Sequence, residues 1–217
     1  MEPVLYYSRN PNPRLAAAVA RHLGAPVRLV WAAPFHPDHS EFFRKLNPSL
    51  RIPILVENGA ALWEADAIAC RLSQMVGSDF WRMGAAMPEM IRWISWGKEN
   101  FVRACDMVSY ERGTRLRYDQ GPTDPAMVAE GLARFHEAAA QLDGHLAGRD
   151  WLVGDSPSHA DFRMATFLPF NDVMKLPLED YPAVAAWERR LRGLPFWDDP
   201  FEGLDAPALP PVRDPQG

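Results

Sequence analysis

Three short stretches near the start of the chain carry side chains that could bind or activate a small ligand. Glu64-Ala65-Asp66 stands at a predicted helix start, where unpaired backbone N–H groups and the helix dipole favour a bound carboxylate. Pro53 opens a predicted strand, from which it removes one hydrogen-bond donor. The loop from Ser8 to Asn12 contributes hydroxyl and amide donors. On their own, the two carboxylates could equally be plain acidic residues at a helix start.

Cysteine and metal chemistry is not favoured by the residue spacing. Cys70 and Cys105 each lie in a helical pattern without a second ligand at metal spacing, so we expect reduced core residues. The loop from Ser8 to Asn12 has no cysteine, which excludes a dithiol mechanism through a Cys-x-x-Cys pair. We expect no metal site and solvated or capping roles for the six histidines, which are His22, His36, His39, His136, His145 and His159.

Strands and helices alternate in the first third of the chain. The predicted order is a strand at 4–7, a helix with Asn12 as N-cap and Pro13 at its first position, a strand at 27–31, a helix at 40–46, strands at 52–56 and 60–63, and a helix at 67–75. Asn58-Gly59 predicts a type I′ hairpin between the last two strands. The order βαβαββα is that of a thioredoxin-like domain.

The thioredoxin-like order predicts the conformation of the peptide bond before the proline at the start of the third strand. In thioredoxin-like domains this proline is cis, and the peptide before it pairs with a peptide ligand as another strand would. We therefore predict a cis Ile52-Pro53 bond. The alternative is a trans proline at a strand edge.

The remainder of the chain predicts helices. Residues 89–118 and 127–146 carry apolar side chains at helical spacing. The predicted organisation is a thioredoxin-like α/β domain at 1–78, a linker at 79–88, an all-α helical bundle at 89–200 and a Pro-rich extended tail at 201–217.

Composition favours small partners. The chain has 217 residues, a net charge of −5 and no basic face with interleaved aromatic residues, so we expect no nucleic-acid partner. No window approaches the ~18 apolar residues of a membrane span, and the N-terminus lacks a basic segment followed by an apolar run. We therefore expect no membrane partner and a cytoplasmic location.

Three segments carry a family resemblance in their order and spacing. Asn47–Pro53 matches an Asn-Pro, spacer, basic residue, aliphatic-Pro pattern, and Glu64–Ile68 follows at the required distance. Ser158 and Asp161 have the spacing of a capping box ahead of an apolar run. By these residues the chain resembles the cytosolic glutathione transferases of bacteria over about residues 3 to 197.

The resemblance implies a glutathione site. Arg51 would meet the glycyl carboxylate, Ile52-Pro53 the cysteinyl backbone, and Glu64-Ala65-Asp66 the γ-glutamyl end. Ala65 departs from the family's usual serine, which removes one hydrogen bond worth roughly 1–3 kcal/mol and predicts weakened binding.

Thiol activation is assigned to the loop after the first strand. This loop resembles that of the bacterial nu class, with Asn10 at the threonine position and Asn12 retained, so Asn10, Asn12 and Ser8 are the candidate catalytic residues. Amide N–H donors beside a helix N-terminus can stabilise a thiolate. The alternative is that Asn12 is only a cap and Asn10 only a turn residue.

The resemblance further implies a homodimeric detoxification enzyme that conjugates glutathione to a small hydrophobic electrophile or reduces disulfides, with peroxidase activity as a possible side reaction. Candidate residues of the second-substrate pocket are Asn100, Arg103 and Met107. Two alternatives stay open, namely a non-catalytic glutathione-transferase-like binding protein and a glutathione-dependent isomerase or lyase.

Overall fold

Residues 2–213 are described by the computed structural model, which divides the chain into two units. The first contains the residues up to Trp81 together with Leu194–Ala208, and the second contains Arg82–Gly193 together with the described residues from Leu209. The sequence instead predicted a boundary at 78, a linker at 79–88 and a separate tail from 201.

The first unit is a four-stranded mixed sheet with helices. Its elements are β1 (Val4–Tyr7), α1 (Pro11–His22), β2 (Arg28–Trp31), α2 (Pro37–Leu46), β3 (Ile54–Glu57), β4 (Ala60–Trp63) and α3 (Ala65–Val76). The strand order is β2-β1-β3-β4, with β1 parallel to β2 and antiparallel to β3. This confirms the predicted thioredoxin-like order.

Alternation along β1 sends its aromatic side chains to opposite faces of the sheet. Tyr7 packs against Ala17 of α1, whereas the ring of Tyr6 makes an edge contact with Phe43 of α2 at a centroid distance of 5.1 Å. The β3–β4 hairpin turns at Asn58 and Gly59, whose φ angles of 51° and 83° are the positive values that the sequence predicted.

The second unit is helical, as predicted. Its helices are α4 (Met87–Glu99), α5 (Phe101–Ser109), α6 (Arg115–Arg117), α7 (Pro125–Leu146), α8 (His159–Met164), α9 (Asn171–Met174) and α10 (Pro182–Arg192), with a π-helical turn at Tyr110–Thr114. The helical spacing predicted over 89–118 is divided between α4, α5, the π-helical turn and α6. Asn100, at φ −117° and ψ −90°, separates α4 from α5, and its side-chain amide donates to the carbonyl oxygen of Trp96 at 2.7 Å.

The predicted capping box at Ser158 and Asp161 is confirmed. The Asp161 carboxylate accepts hydrogen bonds from the Ser158 N–H and hydroxyl, both at 2.9 Å. It also accepts from the Leu152 N–H at 2.8 Å and from the Trp187 indole at 3.0 Å. One buried carboxylate therefore joins the start of α8 to two other parts of the second unit.

The last residues of the first unit pack against β1 and α1. The predicted extended tail began at 201, yet Phe201 is 5% exposed. Trp197, just before that boundary, is 1% exposed. Phe201 forms a small core with Tyr7 and Ala17. A proline-rich composition favours extended backbone. Trp197 and Phe201 instead lie in turns, and the N–H of Leu204 donates to the carbonyl oxygen of Phe201 at 2.8 Å.

Candidate functional site

A pocket in the first unit gathers most of the predicted ligand-binding residues. Its volume is about 90 Å³, and it is lined by Asn12, Asn47, Arg51, Ile52, Pro53, Glu64 and Ala65. Three elements supply these side chains, namely the start of α1, the loop before β3 and the start of α3. Residues more than 50 positions apart in sequence therefore share one surface.

The loop before β3 is held by a residue to which the sequence analysis gave no separate role. Asn47 is 3% exposed, and its side-chain amide donates to the carbonyl oxygen of Arg51 at 2.8 Å. Its Oδ1 accepts from the N–H of Ser49 at 3.1 Å. An Asn that bonds the backbone two residues on is a recognised turn former, so the spacing of Asn47 and Ser49 was the available signal.

The predicted cis bond between Ile52 and Pro53 is confirmed. Both ladders of β3 begin at Ile54, which pairs with Tyr6 of β1 and Trp63 of β4. Ile52 therefore lies just beyond the paired part of the strand, on the pocket lining.

The start of α3 forms a second wall of the pocket. Glu64 has a φ of 74°, a left-handed value that costs a non-glycine residue on the order of 1–3 kcal/mol. Its carbonyl oxygen accepts the first helical hydrogen bond, from Ile68 at 3.0 Å. Ala65 is buried, begins the helix and lines the pocket, so the start of α3 meets the pocket with a residue that has no side-chain hydroxyl. Asp66 is in the same turn, half-buried, and is not among the lining residues.

Of the three candidate catalytic residues after β1, only Asn12 lines the described pocket. Asn12 is exposed and lines the pocket, whereas Ser8 and Asn10 do not belong to its lining within the described chain. The expectation that Asn12 caps α1 is wrong, because the N-cap is Asn10 and Pro11 is the first helical residue. Asn12 therefore lies in the first turn of α1, where the helix dipole favours negative charge.

Ser8 forms a hydrogen bond with Asn10, the N-cap residue of α1. It is 7% exposed, and its hydroxyl oxygen accepts from the side-chain amide of Asn10 at 3.2 Å. Ser8 and Asn10 thus interact with each other within the loop, and Asn12 is the member of the trio that lines the pocket.

The hydroxyl of Tyr7 is not placed to donate a hydrogen bond to a ligand in the pocket. Its hydroxyl donates to the carbonyl oxygen of Asp205 at 2.8 Å. Burial, with a further contribution from the negative charge of Asp205, raises the pKa of Tyr7. A buried hydroxyl already bonded to a carbonyl is a poor donor to a ligand.

The three candidate second-substrate residues lie along one stretch of the second unit. Asn100 ends α4, Arg103 is exposed and pairs with Asp106 at 3.6 Å, and Met107 is half-buried against α7. A Cβ atom added at Gly131 of α7 would lie 3.2 Å from the Cβ of Met107, so this glycine allows the two helices to approach closely.

Neither cysteine is placed for thiol chemistry at the pocket. Burial raises the pKa of the Cys70 and Cys105 thiols, and the two residues belong to different units. Within residues 2–213, no group of three or more His, Cys, Asp or Glu side chains is arranged to hold a metal ion. In the same range, no helix combines the length and the apolar content that a membrane span requires.

Comparison with known proteins agrees with this fold. The family model of the glutathione S-transferase N-terminal domain matches residues 2–72, and that of the C-terminal domain matches residues 125–190. Together the two matches cover more than half of the chain. The chain therefore belongs to the glutathione S-transferase family.

Individual relatives are distant. Glutathione S-transferase-like protein LUC7 of a Fusarium species is 29% identical over 200 residues, covering 85% of this chain and 86% of its own. Human glutathione S-transferase T1-1 in its apo form superposes with a TM-score of 0.82 at 22% identity, covering 99% of this chain and 94% of its own. A glutathione transferase family member of Pseudomonas fluorescens Pf-5 with two glutathione bound gives 0.75 at 18%, with 92% of each chain covered.

Proposed function

We propose that this chain binds glutathione in the pocket of its first unit and stabilises the glutathione thiolate for attack on an electrophile or a disulfide. The observation that carries the proposal is that Asn12, Arg51, Ile52 and the start of α3 line the same pocket. Family membership and the glutathione bound to the Pseudomonas fluorescens protein support glutathione as the ligand.

The lining chemistry suits the two ends and the middle of the tripeptide. Arg51 is an exposed cation for the glycyl carboxylate, and the backbone of Ile52 can pair with the cysteinyl peptide. The N–H groups at the start of α3 suit the γ-glutamyl carboxylate, and the carboxylates of Glu64 and Asp66 suit its ammonium group.

Asn12 is the proposed thiol activator. Its side-chain amide can donate to the cysteinyl sulfur, and the dipole of α1 adds positive potential at the same place. The thiol then releases its proton to solvent. The thiolate sulfur forms a bond to the electrophilic carbon, and the leaving group departs with its bonding pair. With a disulfide it forms a mixed disulfide and releases a thiolate, and a second glutathione resolves the product to glutathione disulfide.

Asn10 and Ser8 are proposed to support this step by shaping the loop, in the manner of the bacterial nu class that the loop resembles. Asn100, Arg103 and Met107 are proposed to contact the second substrate, a small hydrophobic electrophile or disulfide. We further propose a cytoplasmic homodimer.

One observation favours a second function, a binding protein without turnover. Ala65 leaves the γ-glutamyl carboxylate without a hydroxyl donor, which weakens the anchoring that holds the sulfur in place. A glutathione-dependent isomerase or lyase would use the same thiolate and differs only in its second substrate.

Binding and turnover separate these proposals. Glutathione titrated into the chain by calorimetry should bind, and Arg51→Gln should weaken binding at least tenfold, because a charge-assisted hydrogen bond contributes about 1.5–3 kcal/mol. Arg44→Gln is the matched control, since Arg44 is an exposed arginine of α2 away from the lining. Binding without turnover of an aryl halide or of hydroxyethyl disulfide would favour the binding protein. If glutathione does not bind, the proposed function is wrong.

A further inference from the structure

The ring of Phe201 contacts Tyr7, the last residue of β1, and Arg9, in the loop that follows. It stacks on the ring of Tyr7 at a centroid distance of 5.6 Å and an interplanar angle of 19°. On Phe201 also lies the guanidinium group of Arg9, whose central carbon is 4.6 Å from the ring centroid. With 5% of its surface exposed, Phe201 is a buried platform for both residues.

Two hydrogen bonds extend this contact along the C-terminal segment Phe201–Ala206. The Tyr7 hydroxyl donates to the carbonyl oxygen of Asp205 at 2.8 Å, and the Arg9 Nε donates to that of Ala206 at 2.8 Å. The residues on both sides of Ser8 are thus each held by one ring contact and one hydrogen bond.

Hydrogen bonds within the loop connect Tyr7 and Arg9 to the pocket residue Asn12. The Ser8 hydroxyl oxygen accepts from the backbone N–H of Asn10 at 3.4 Å and from its side chain at 3.2 Å. Asn10 is the N-cap of α1, and Asn12 lines the pocket two residues later. A shift of Tyr7 or Arg9 would therefore be transmitted through Ser8 and Asn10 to Asn12.

We propose that the segment Phe201–Ala206 positions the thiol-activating loop from behind, with Arg9 as the positioning residue that couples the two. The inference rests on the proposed function for its effect on the thiol. It assigns a role in reactivity to residues about 190 positions away in sequence from Asn12. Through this contact the reactivity of the bound thiol depends on a C-terminal segment that is not part of the described pocket lining.

The same segment is held at other points, which supply a matched control. Arg21, in the last turn of α1, donates to the carbonyl oxygen of Glu202, and its guanidinium carbon lies 4.1 Å from the ring centroid of Phe196. Replacing Arg21 loosens the segment away from the loop. Arg9 and Arg21 are both arginines that bond the segment's backbone, but only Arg9 follows Ser8 in sequence.

The test combines two measurements on Arg9→Met, Arg9→Lys, Phe201→Leu and Arg21→Met. The absorbance of the bound thiolate, titrated against pH, should give a thiol pKa higher by about half a unit in Arg9→Met and Phe201→Leu, or about threefold less thiolate below the pKa. Arg9→Lys should recover part of the shift. Arg21→Met leaves the contacts of Phe201 with Tyr7 and Arg9 in place, so it should shift the pKa less than Arg9→Met.

Hydrogen exchange of the glutathione-free proteins supplies the second measurement. Amides from Ser8 to Asn12 should exchange at least about threefold faster in Arg9→Met and Phe201→Leu than in Arg21→Met. This readout holds even if the parent fails to bind glutathione, so failure of the proposed function is recognised separately. Phe201→Leu changes no charge. If Phe201→Leu matches the parent in thiol titration and in exchange, the positioning role is overturned, and a shift confined to Arg9→Met is a direct charge effect.

Discussion

The hydroxyl of Tyr7 donates a hydrogen bond to the carbonyl oxygen of Asp205 at 2.8 Å, across 198 positions of sequence. Tyr7 directly precedes the loop from Ser8 to Asn12, but this bond uses the proton of its hydroxyl. We therefore predict that Tyr7→Phe changes the turnover rate by less than about threefold, while the lost hydrogen bond lowers the free energy of unfolding by about 1 kcal/mol. Steady-state kinetics and urea titration measure the two effects. A large loss of turnover at unchanged stability would identify Tyr7 as the thiol donor.

Substitutions at Asn12 should act on the thiol. Because Asn10 is the cap of α1, Asn12→Ala removes an amide donor without removing the cap, and Asn12→Asp places a carboxylate beside the sulfur. We predict that the bound thiol's pKa rises in both variants and rises more in Asn12→Asp. Absorbance titration of the bound thiolate measures it. If both variants titrate like the parent, Asn10 or Ser8 takes over the assignment.

Loss of the buried carboxylate at Asp161 should destabilise the second unit. Asp161→Ala leaves the N–H groups of Leu152 and Ser158 and the indole of Trp187 without their acceptor. We predict a loss of about 3 kcal/mol or more in the free energy of unfolding by urea. Asp155→Ala, at an exposed position, should stay within about 0.5 kcal/mol of the parent. Equal effects of the two substitutions would contradict the account of the capping box.

Stability should fall when the solution is acidified towards pH 5.5. Burial lowers the pKa of His22, which packs against Phe80, below its ordinary value of about 6.5. The unfolded chain therefore binds a proton at this site first as the pH falls, so the contribution of His22 to stability is lost below about 6.5. Urea unfolding at pH 7.5 and 5.5 should show the decrease, and His22→Phe should reduce it. An unchanged decrease in His22→Phe would assign the effect to other groups.

The proposed homodimer is tested by mass in solution. The chain has a mass of 24.5 kDa, so light scattering should give about twice that value. A mass near that of one chain would contradict the dimer and leave the glutathione proposal standing, because the pocket is built from one first unit.

Much of the first unit followed from local signals in the sequence. Asn58-Gly59 fixed the hairpin through its positive φ angles, and the position of Pro53 led to the cis bond. The residues Arg51, Ile52 and Glu64 were assigned to the site through the resemblance to the glutathione transferases, and all three line the pocket. The hairpin depends on neighbouring residues, which sequence patterns report well, whereas the pocket joins residues more than 50 positions apart.

Other features depended on a choice between two equivalent local patterns or on contacts between residues distant in sequence. Asn10-Pro11 and Asn12-Pro13 offer two equivalent cap and first-turn pairs, and sequence alone could not choose between them. The break at Asn100 interrupts an apolar pattern that continues on both sides of it. The docking of Phe201 against Tyr7 joins residues 194 positions apart, and proline-rich composition carries no signal of it.

The most direct test of the account is the pH titration of glutathione bound to the parent chain, followed by thiolate absorbance. We predict that the bound thiol titrates at least about one pH unit below the ordinary cysteine value of about 8.5, because an amide donor and a helix N-terminus stabilise the thiolate. A bound thiol that titrates at the value of free glutathione would contradict thiolate stabilisation and leave only binding.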